Sequence, residues 1–385
     1  MFKDRIRTKD IKAIWWFMIA WPIAKMRAFR QKDVWLLSER PNEARDNGYW
    51  MFKYIKENTE KQDVYYVINK NATDKSRIDS YGSIIEFGSF KHYIIYWLAT
   101  KHISAHIDLD SPNSRVSNFL ETHGLLKNKR VFLQHGITKD KISFGYYSVS
   151  RADLLVCAAK PEYEFCKKEF GYPEGAVQLL GFARFDGLGV CKPKRQVLLM
   201  PTWRAWLANL NLEQFLVSDY YQKYQSLLNN SNLHKLLMNN DLELIFYPHS
   251  DMQKFISLFY VNCSRIKIAS AKEYDIQTLL NESVLLITDY SSVAFDMAYM
   301  CRPVFYYQFD YQKYREGQHA EGYYSYEKDG FGPVIGEEYM LIEALYKCVI
   351  NKLQIEKKYY NRIENFFALR DRKNCKRIYE AIKEL

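Results

Sequence analysis

The sequence predicts an α/β protein built from two Rossmann-like domains in tandem, facing across a cleft and preceded by an N-terminal helix. Three observations predict it. From Asp33 onward, short β-rich apolar runs alternate with longer helical stretches, the signature of parallel sheets covered on both faces. The chain has 385 residues, beyond the size at which a single core stops growing. Two apolar runs about half a chain apart, Val131–Gln134 and Leu285–Thr288, each end in phosphate-capable residues. The first delivers His135, Gly136, Ile137, Thr138 and Lys139; the second delivers Asp289, Tyr290, Ser291 and Ser292. The Ser pair opens a predicted helix, where unpaired backbone N–H groups and the helix dipole favour anions.

At the N-terminus, Ile14–Ala24 is continuously apolar, contains Trp15, Trp16 and Trp21, and is flanked by Lys3, Arg5, Arg7, Lys9, Lys12, Lys25, Arg27 and Arg30. Eleven residues are too few to span ~30 Å of hydrocarbon as a helix. No small-residue cleavage site follows, so a signal peptide is disfavoured. Residues 1–30 are expected to lie on the cytoplasmic leaflet, with Trp at headgroup depth and Lys/Arg on anionic lipid; a first helix packed on the core is the alternative.

Strands are expected at 34–38, 64–68, 83–87, 102–107 and into Gln134, then at 196–200, 242–247, 266–269, 284–288 and 304–307. The turn between the two series is Gly181–Gly189, with Gly181, Gly187 and Gly189. The expected parts are therefore residues 1–30, a first Rossmann-like domain 31–185, a second at 186–354, and a charged C-terminal helix 355–385. In a parallel sheet all strand carboxyl ends face one edge. Three loops of the second half should then converge: Thr202-Trp203-Arg204 after one strand, Tyr247-Pro248-His249 after another, and the Asp289–Ser292 turn.

Composition narrows the function classes. A formal net charge of +10 favours anionic partners, but the chain has no zinc-finger spacing, RNA-recognition signature or arginine-rich arm, so nucleic acid is not the expected partner. Seven dispersed Cys with no CxxC pair fit reduced, mostly buried thiols. Aromatic content of 16% fits a sugar-handling cleft or a membrane-facing surface. Asp108 and Asp110 are the nearest approach to an acidic metal pair and read equally as a turn; nothing in the sequence requires a protein-bound metal, Mg2+ included.

Taken in order, His135-Gly136-Ile137-Thr138-Lys139, Gly181–Asp186, Pro201-Thr202-Trp203-Arg204, the strand-end His249, Thr288–Asp296, Arg302-Pro303-Val304 and the stretch from Phe309-Asp310 to Gly322-Tyr323 resemble the CDP-glycerol glycerophosphotransferase family, the teichoic-acid polyol-phosphate transferases of bacteria. The resemblance covers residues 33 to 375. It implies a GT-B-like enzyme, peripheral at the cytoplasmic face of the membrane, with an acceptor domain at 31–185 and a CDP-donor domain at 186–354. Such an enzyme moves glycerol phosphate or ribitol phosphate from a CDP-polyol to a hydroxyl of a lipid-linked saccharide or poly(polyol phosphate) acceptor and releases CMP, in teichoic acid or capsule synthesis. One departure stands out: the family commonly places its second histidine directly before a proline, whereas this chain reads Pro248-His249-Ser250.

The chemistry agrees with the residue types. A polyol hydroxyl is a poor nucleophile near neutral pH, and an imidazole can take its proton as it attacks phosphorus. His135 is the expected base. Charge on the transferred and leaving phosphates would be met by Lys139, Arg184, Arg204 and His249 as a donor. Gly136, Ile137 and Thr138 form the first turn, Thr202, Trp203, Tyr247 and Pro248 line the donor loops, Ser291 and Ser292 hold the pyrophosphate or cap the helix, and Asp296 meets polyol or ribose hydroxyls. His92, His102, His106, His123 and His234 lack phosphate-binding neighbours and read as structural; His319 is ambiguous. A GT-B glycosyltransferase using a nucleotide-sugar donor is the alternative function.

Overall fold

In a computed structural model of the chain, which describes residues 7–59, 61–317 and 321–385, the apolar runs form two separate, wholly parallel sheets. The first contains β1 (Val34–Ser38), β2 (Asp63–Ile68), β3 (Ile84–Glu86), β4 (Lys101–Ser104), β5 (Lys129–Phe132), β6 (Leu154–Cys157) and β7 (Val177–Leu179), in the order β3-β2-β1-β4-β5-β6-β7. The second contains β8 (Gln196–Leu199), β9 (Glu243–Phe246), β10 (Ile266–Ile268), β11 (Leu285–Thr288), β12 (Val304–Tyr307) and β13 (Val334–Ile335), in the order β10-β9-β8-β11-β12-β13. Every residue of β1, β4, β6, β8, β11 and β12 is buried. Burial on both faces is what helices on either side of a parallel sheet impose.

Two compact units hold these sheets. One comprises Met1–Ile137, Ser143–Asp186 and Leu369–Leu385; the other comprises Thr138–Ile142 and Gly187–Ala368. The stretch 355–385, expected as one helix, is two: Lys357–Phe366 in the second unit and Asn374–Lys383 in the first. The break has local causes at both sides. Phe366 stacks on Phe295, 5.4 Å between centroids, and so belongs to the second core. The last helix starts where Asp186 accepts the backbone N–H groups of Asn374 (3.0 Å) and Cys375 (2.9 Å), and a carboxylate there satisfies donors that lack an intrahelical partner. β6, β7 and β13 were not expected from the sequence. Leu154-Leu155-Val156-Cys157 is a four-residue apolar run, which periodicity does not separate from part of a buried helix.

Helix α1 (Thr8–Ala28) buries a stripe, Ala13, Phe17, Ala20 and Ala24, against α3 (Phe90–Leu98). Small alanines let the helices approach, and Phe17 makes edge contacts with Tyr93 (4.8 Å) and Trp97 (6.0 Å). Asp10 ties the helix to α4 (Ser114–Thr122) through Arg115, 3.2 Å away. The opposite face stays exposed and apolar, with Ile14, Trp15, Met18, Ile19, Trp21, Met26 and Phe29. Packed helix and apolar surface thus coexist on one element. No helix among the described residues is long and apolar enough to cross a membrane.

Candidate active site

In doubly wound sheets ligands bind beyond the strand carboxyl ends, where the strand order reverses. That point lies between β1 and β4 in the first unit and between β8 and β11 in the second.

At the first edge, β1 leads into Glu39, β4 into His106 and β5 into His135. Gln134 has φ +58°, a left-handed conformation that costs a non-glycine residue roughly 1–2 kcal/mol. Its surroundings enforce it. Gln134 Nε2 donates to Val156 O (2.7 Å) and Glu162 (3.1 Å), and Asn47 Nδ2 donates to Gln134 O (2.7 Å). The bend puts His135 on the surface while Gln134 and Ile137 are buried beside it; Gly136 is half-buried. The His135 ring lies parallel to that of His106, with centroids 4.9 Å apart and planes at 8°.

Asn47 also accepts the Arg184 N–H (3.0 Å), so one amide fixes both the histidine turn and the Arg184 segment. Arg184 reaches Asp46 at 3.4 Å and lies over the rings of Phe182 and Phe185. Glu39 is buried and accepts N–H groups of Arg45 (3.0 Å), Asp46 (2.9 Å) and Tyr49 (2.6 Å) at the start of α2 (Asn47–Asn58). Burial and Asp46 push its carboxyl up, against those three donors. Gly48 is required there, because a Cβ would stand 2.8 Å from Ser38 O. Residues 39–48 are thus held by Glu39 and by Asp74, which accepts the Ala44 N–H (3.0 Å) and pairs with Arg45, and Asn47 links them to the histidine turn.

In the second unit the three expected loops do converge. Asp289 accepts the Thr202 N–H (2.8 Å), the His249 N–H donates to Pro201 O (3.2 Å), and Trp203 stacks on His249 with centroids 6.4 Å apart. The Asp251 N–H donates to His249 Nδ1 (3.3 Å), which leaves the proton of the neutral ring on Nε2. The side chain is half-buried, so Nε2–H is suited to donating to an anion. Tyr247 and Pro248 are buried behind it. Ser291 Oγ accepts the Val293 N–H at 3.4 Å, whereas Ser292 precedes the helix Val293–Tyr299 without capping it through its hydroxyl. Both serines are half-buried; Asp296 is buried. Thr202 Oγ1 is buried with no hydrogen-bond partner among the described residues.

Two expected phosphate ligands, Arg204 and Lys139, are buried in ion pairs. Arg204 is 0% exposed. Its guanidinium pairs with Asp310 (Nε, 2.8 Å) and Asp289 (Nη2, 2.8 Å) and donates from Nη1 to Thr202 O (2.8 Å). Burial opposes its charge, and Asp289 and Asp310 outweigh that and hold it protonated. Tyr290 lies against it and donates to Asp310 (3.0 Å). Arg204 thus ties together the loops after β8, β11 and β12. Lys139 is also buried and pairs with Asp140, which pairs in turn with Arg315 at 2.7 Å. Burial lowers the Lys139 ammonium, and Asp140 opposes that. The glycine at 322 lies against this turn: a Cβ there would meet Lys139 O. Sequence position at a strand end did not show that these cations have internal carboxylate partners. His319 lies outside the described residues. Among those described, no group of three or more His, Cys, Asp or Glu is arranged to hold a metal ion.

Two doubly wound parallel units, each with imidazole at the carboxyl edge of its sheet, define a GT-B-like α/β protein. A solved structure of the wall teichoic acid polymerase TagF has the same fold, with a TM-score of 0.70, 17% identity and 98% of each chain covered. The chain belongs to the CDP-glycerol:poly(glycerophosphate) glycerophosphotransferase family, whose model matches residues 19–384. It is 35% identical over 372 residues to the minor teichoic acid biosynthesis protein GgaB of Bacillus subtilis (strain 168), covering 93% of this chain and 40% of that one. It is 25% identical to the teichoic acid poly(glycerol phosphate) polymerase of Bacillus spizizenii, covering 77% and 78%. The chain thus spans less than half the length of the first of these relatives.

Proposed function

We propose that the chain transfers glycerol phosphate from CDP-glycerol to a hydroxyl of a poly(glycerol phosphate) or lipid-linked acceptor, with release of CMP, in teichoic acid synthesis. The family match across residues 19–384 carries this reading. The site geometry supports it: an exposed imidazole on a braced turn in one unit and, in the other, a half-buried imidazole whose Nδ1 accepts a backbone N–H.

In this reading the acceptor oxygen attacks the glycerol-bearing phosphorus of the donor, and its proton passes to His135. The bond from that phosphorus to the bridging oxygen breaks, and the electron pair leaves with CMP. His249 donates from Nε2 to a phosphate oxygen as charge builds, which counts most in the transition state. Ser291, Ser292 and the nearby backbone N–H groups hold the donor phosphates, Thr202 Oγ1 has an unspent hydrogen-bonding group for the same task, and Arg184 supplies positive charge on the acceptor side. Arg204 and Lys139 act as framework.

We further infer that the protein sits peripherally on the cytoplasmic face of a bacterial membrane through α1. Supporting this, the exposed face of α1 continues into a cavity of about 840 Å3 lined by Ile14, Met18, Trp21, Trp97, Phe119 and Leu125, and basic residues flank the helix at both ends.

The test is incubation of the purified chain with CDP-glycerol or CDP-ribitol and a glycerol-phosphate-primed acceptor. CMP release and a mass increment of one or more polyol phosphates are expected, with glycerol the preferred polyol. Release of a nucleoside diphosphate from a nucleotide sugar, with no CMP from either CDP-polyol, would replace this reading with glycosyl transfer.

A further inference from the structure

His106 reads from sequence as a structural histidine at the end of a strand reaching Ile107, but the β4 ladder stops at Ser104. Released from the ladder, its ring stacks face to face on His135, 4.9 Å away and tilted by only 8°. Its Nδ1 is buried and has no hydrogen-bond partner among the described residues. A buried lone pair left over costs less than a buried N–H left over, so the proton of the neutral ring belongs on Nε2. The groups around the ring are His135 and Arg40, and His102, Asp110 and Arg130 around the small cavity that it lines. Burial, then the charges of His135 and Arg40, push His106 down to about 3.

We propose that His106 is a positioning residue for His135, a neutral imidazole plate that fixes the plane of the base without competing for its proton. This rests on the reading of His135 as the base. A base must hold its nitrogen on the acceptor hydroxyl, and a parallel ring packed on its face restricts rotation of the imidazole about its side-chain bonds. Because the plate stays neutral, protonation of His135 during the reaction meets no second imidazolium.

Three variants test this: His106→Phe, His106→Ala and His135→Ala, with kcat, KM for CDP-glycerol and the pH profile of kcat measured for each, alongside imidazole NMR titration of the unsubstituted protein. His106→Phe, which keeps a flat ring, is expected to hold kcat within about threefold and leave the acid limb in place, whereas His106→Ala is expected to lose roughly ten- to a hundredfold in kcat with little change in KM. His106 should show no titration between pH 5 and 8. Equal losses in His106→Phe and His106→Ala would give the imidazole nitrogens a chemical part and overturn the proposal. So would wild-type rates in both, or a His106 titration near pH 6.5, a result that needs no variant to fold. If His135→Ala keeps full turnover, the base reading itself fails. If it is inactive while both His106 variants match the wild type, only the present inference fails.

Discussion

His135 and His249 occupy strand-end loops but are presented differently, one exposed on a strained turn and the other half-buried with Nδ1 engaged by a backbone N–H. His135→Ala is expected to keep the circular dichroism of the wild type and lower turnover by roughly 10²–10⁴; wild-type turnover would remove it from the chemistry. In the proposed reaction His249→Ala should act mainly on kcat, because a hydrogen bond donated to phosphate would strengthen as charge develops, and an effect confined to KM would make it a binding residue. Arg204 belongs to a different class. Arg204→Met leaves the buried Asp289 and the half-buried Asp310 without their cation, so urea unfolding should show a loss of about 3–5 kcal/mol. Unchanged stability with weakened CDP-glycerol binding would return Arg204 to the phosphate.

At the scale of one element, α1 serves two faces. Replacing Trp15, Ile19 and Trp21 together by Gln touches only exposed positions. The variant is expected to fold, to stay active on a short soluble acceptor and to lose sedimentation with anionic vesicles. Binding of the unsubstituted protein should weaken as salt rises, since each basic residue near an anionic leaflet contributes about 1 kcal/mol and salt screens it. Deleting residues 1–30 is a harsher experiment, because it also takes Phe17 out of the α3 contact, and losing a buried Phe costs on the order of 3–5 kcal/mol. Vesicle binding that survives the triple substitution would place the membrane contact elsewhere.

At the scale of the whole molecule, the chain returns to its first unit at its end. Truncation after Ala368 removes the helix whose start is held by Asp186 and is expected to lower the thermal midpoint of the first unit; an unchanged midpoint would show the terminal helix to be dispensable. The same unit should weaken in acid. His92 is fully buried, accepts the Gly88 N–H at Nδ1 (3.1 Å) and donates from Nε2 to Asp110 O (2.8 Å), which only the neutral ring can do. Burial lowers its pKa to about 4. The unfolded chain binds this proton from about pH 6.5 downward and the folded chain only near 4, so stability is present above 6.5 and falls by on the order of 3 kcal/mol between them. An imidazole titration with His92 protonating near 6.5 would contradict this.

Runs such as Val34–Ser38 and Leu285–Thr288 are apolar at every position but the last, so two parallel sheets, ten of the thirteen described strands and the residues at their carboxyl ends were legible without coordinates. His135, His249 and the serine pair followed, because a strand-to-loop junction in such a sheet is set by local pattern. Partnership was not legible. Whether a strand-end cation faces a ligand or an internal carboxylate depends on residues far away in sequence: Asp289 and Asp310 for Arg204, and Arg315 beside the Lys139–Asp140 pair. The stack of His106 on His135 and the amide of Asn47 under Gln134 are likewise contacts across strands that meet only in the sheet. Sequence by itself determined the alternation and the chemistry available at the strand ends, since both are properties of neighbouring residues. The tertiary structure alone decided which of those groups are spent on the framework and which remain exposed, since burial and pairing are properties of residues brought together by folding.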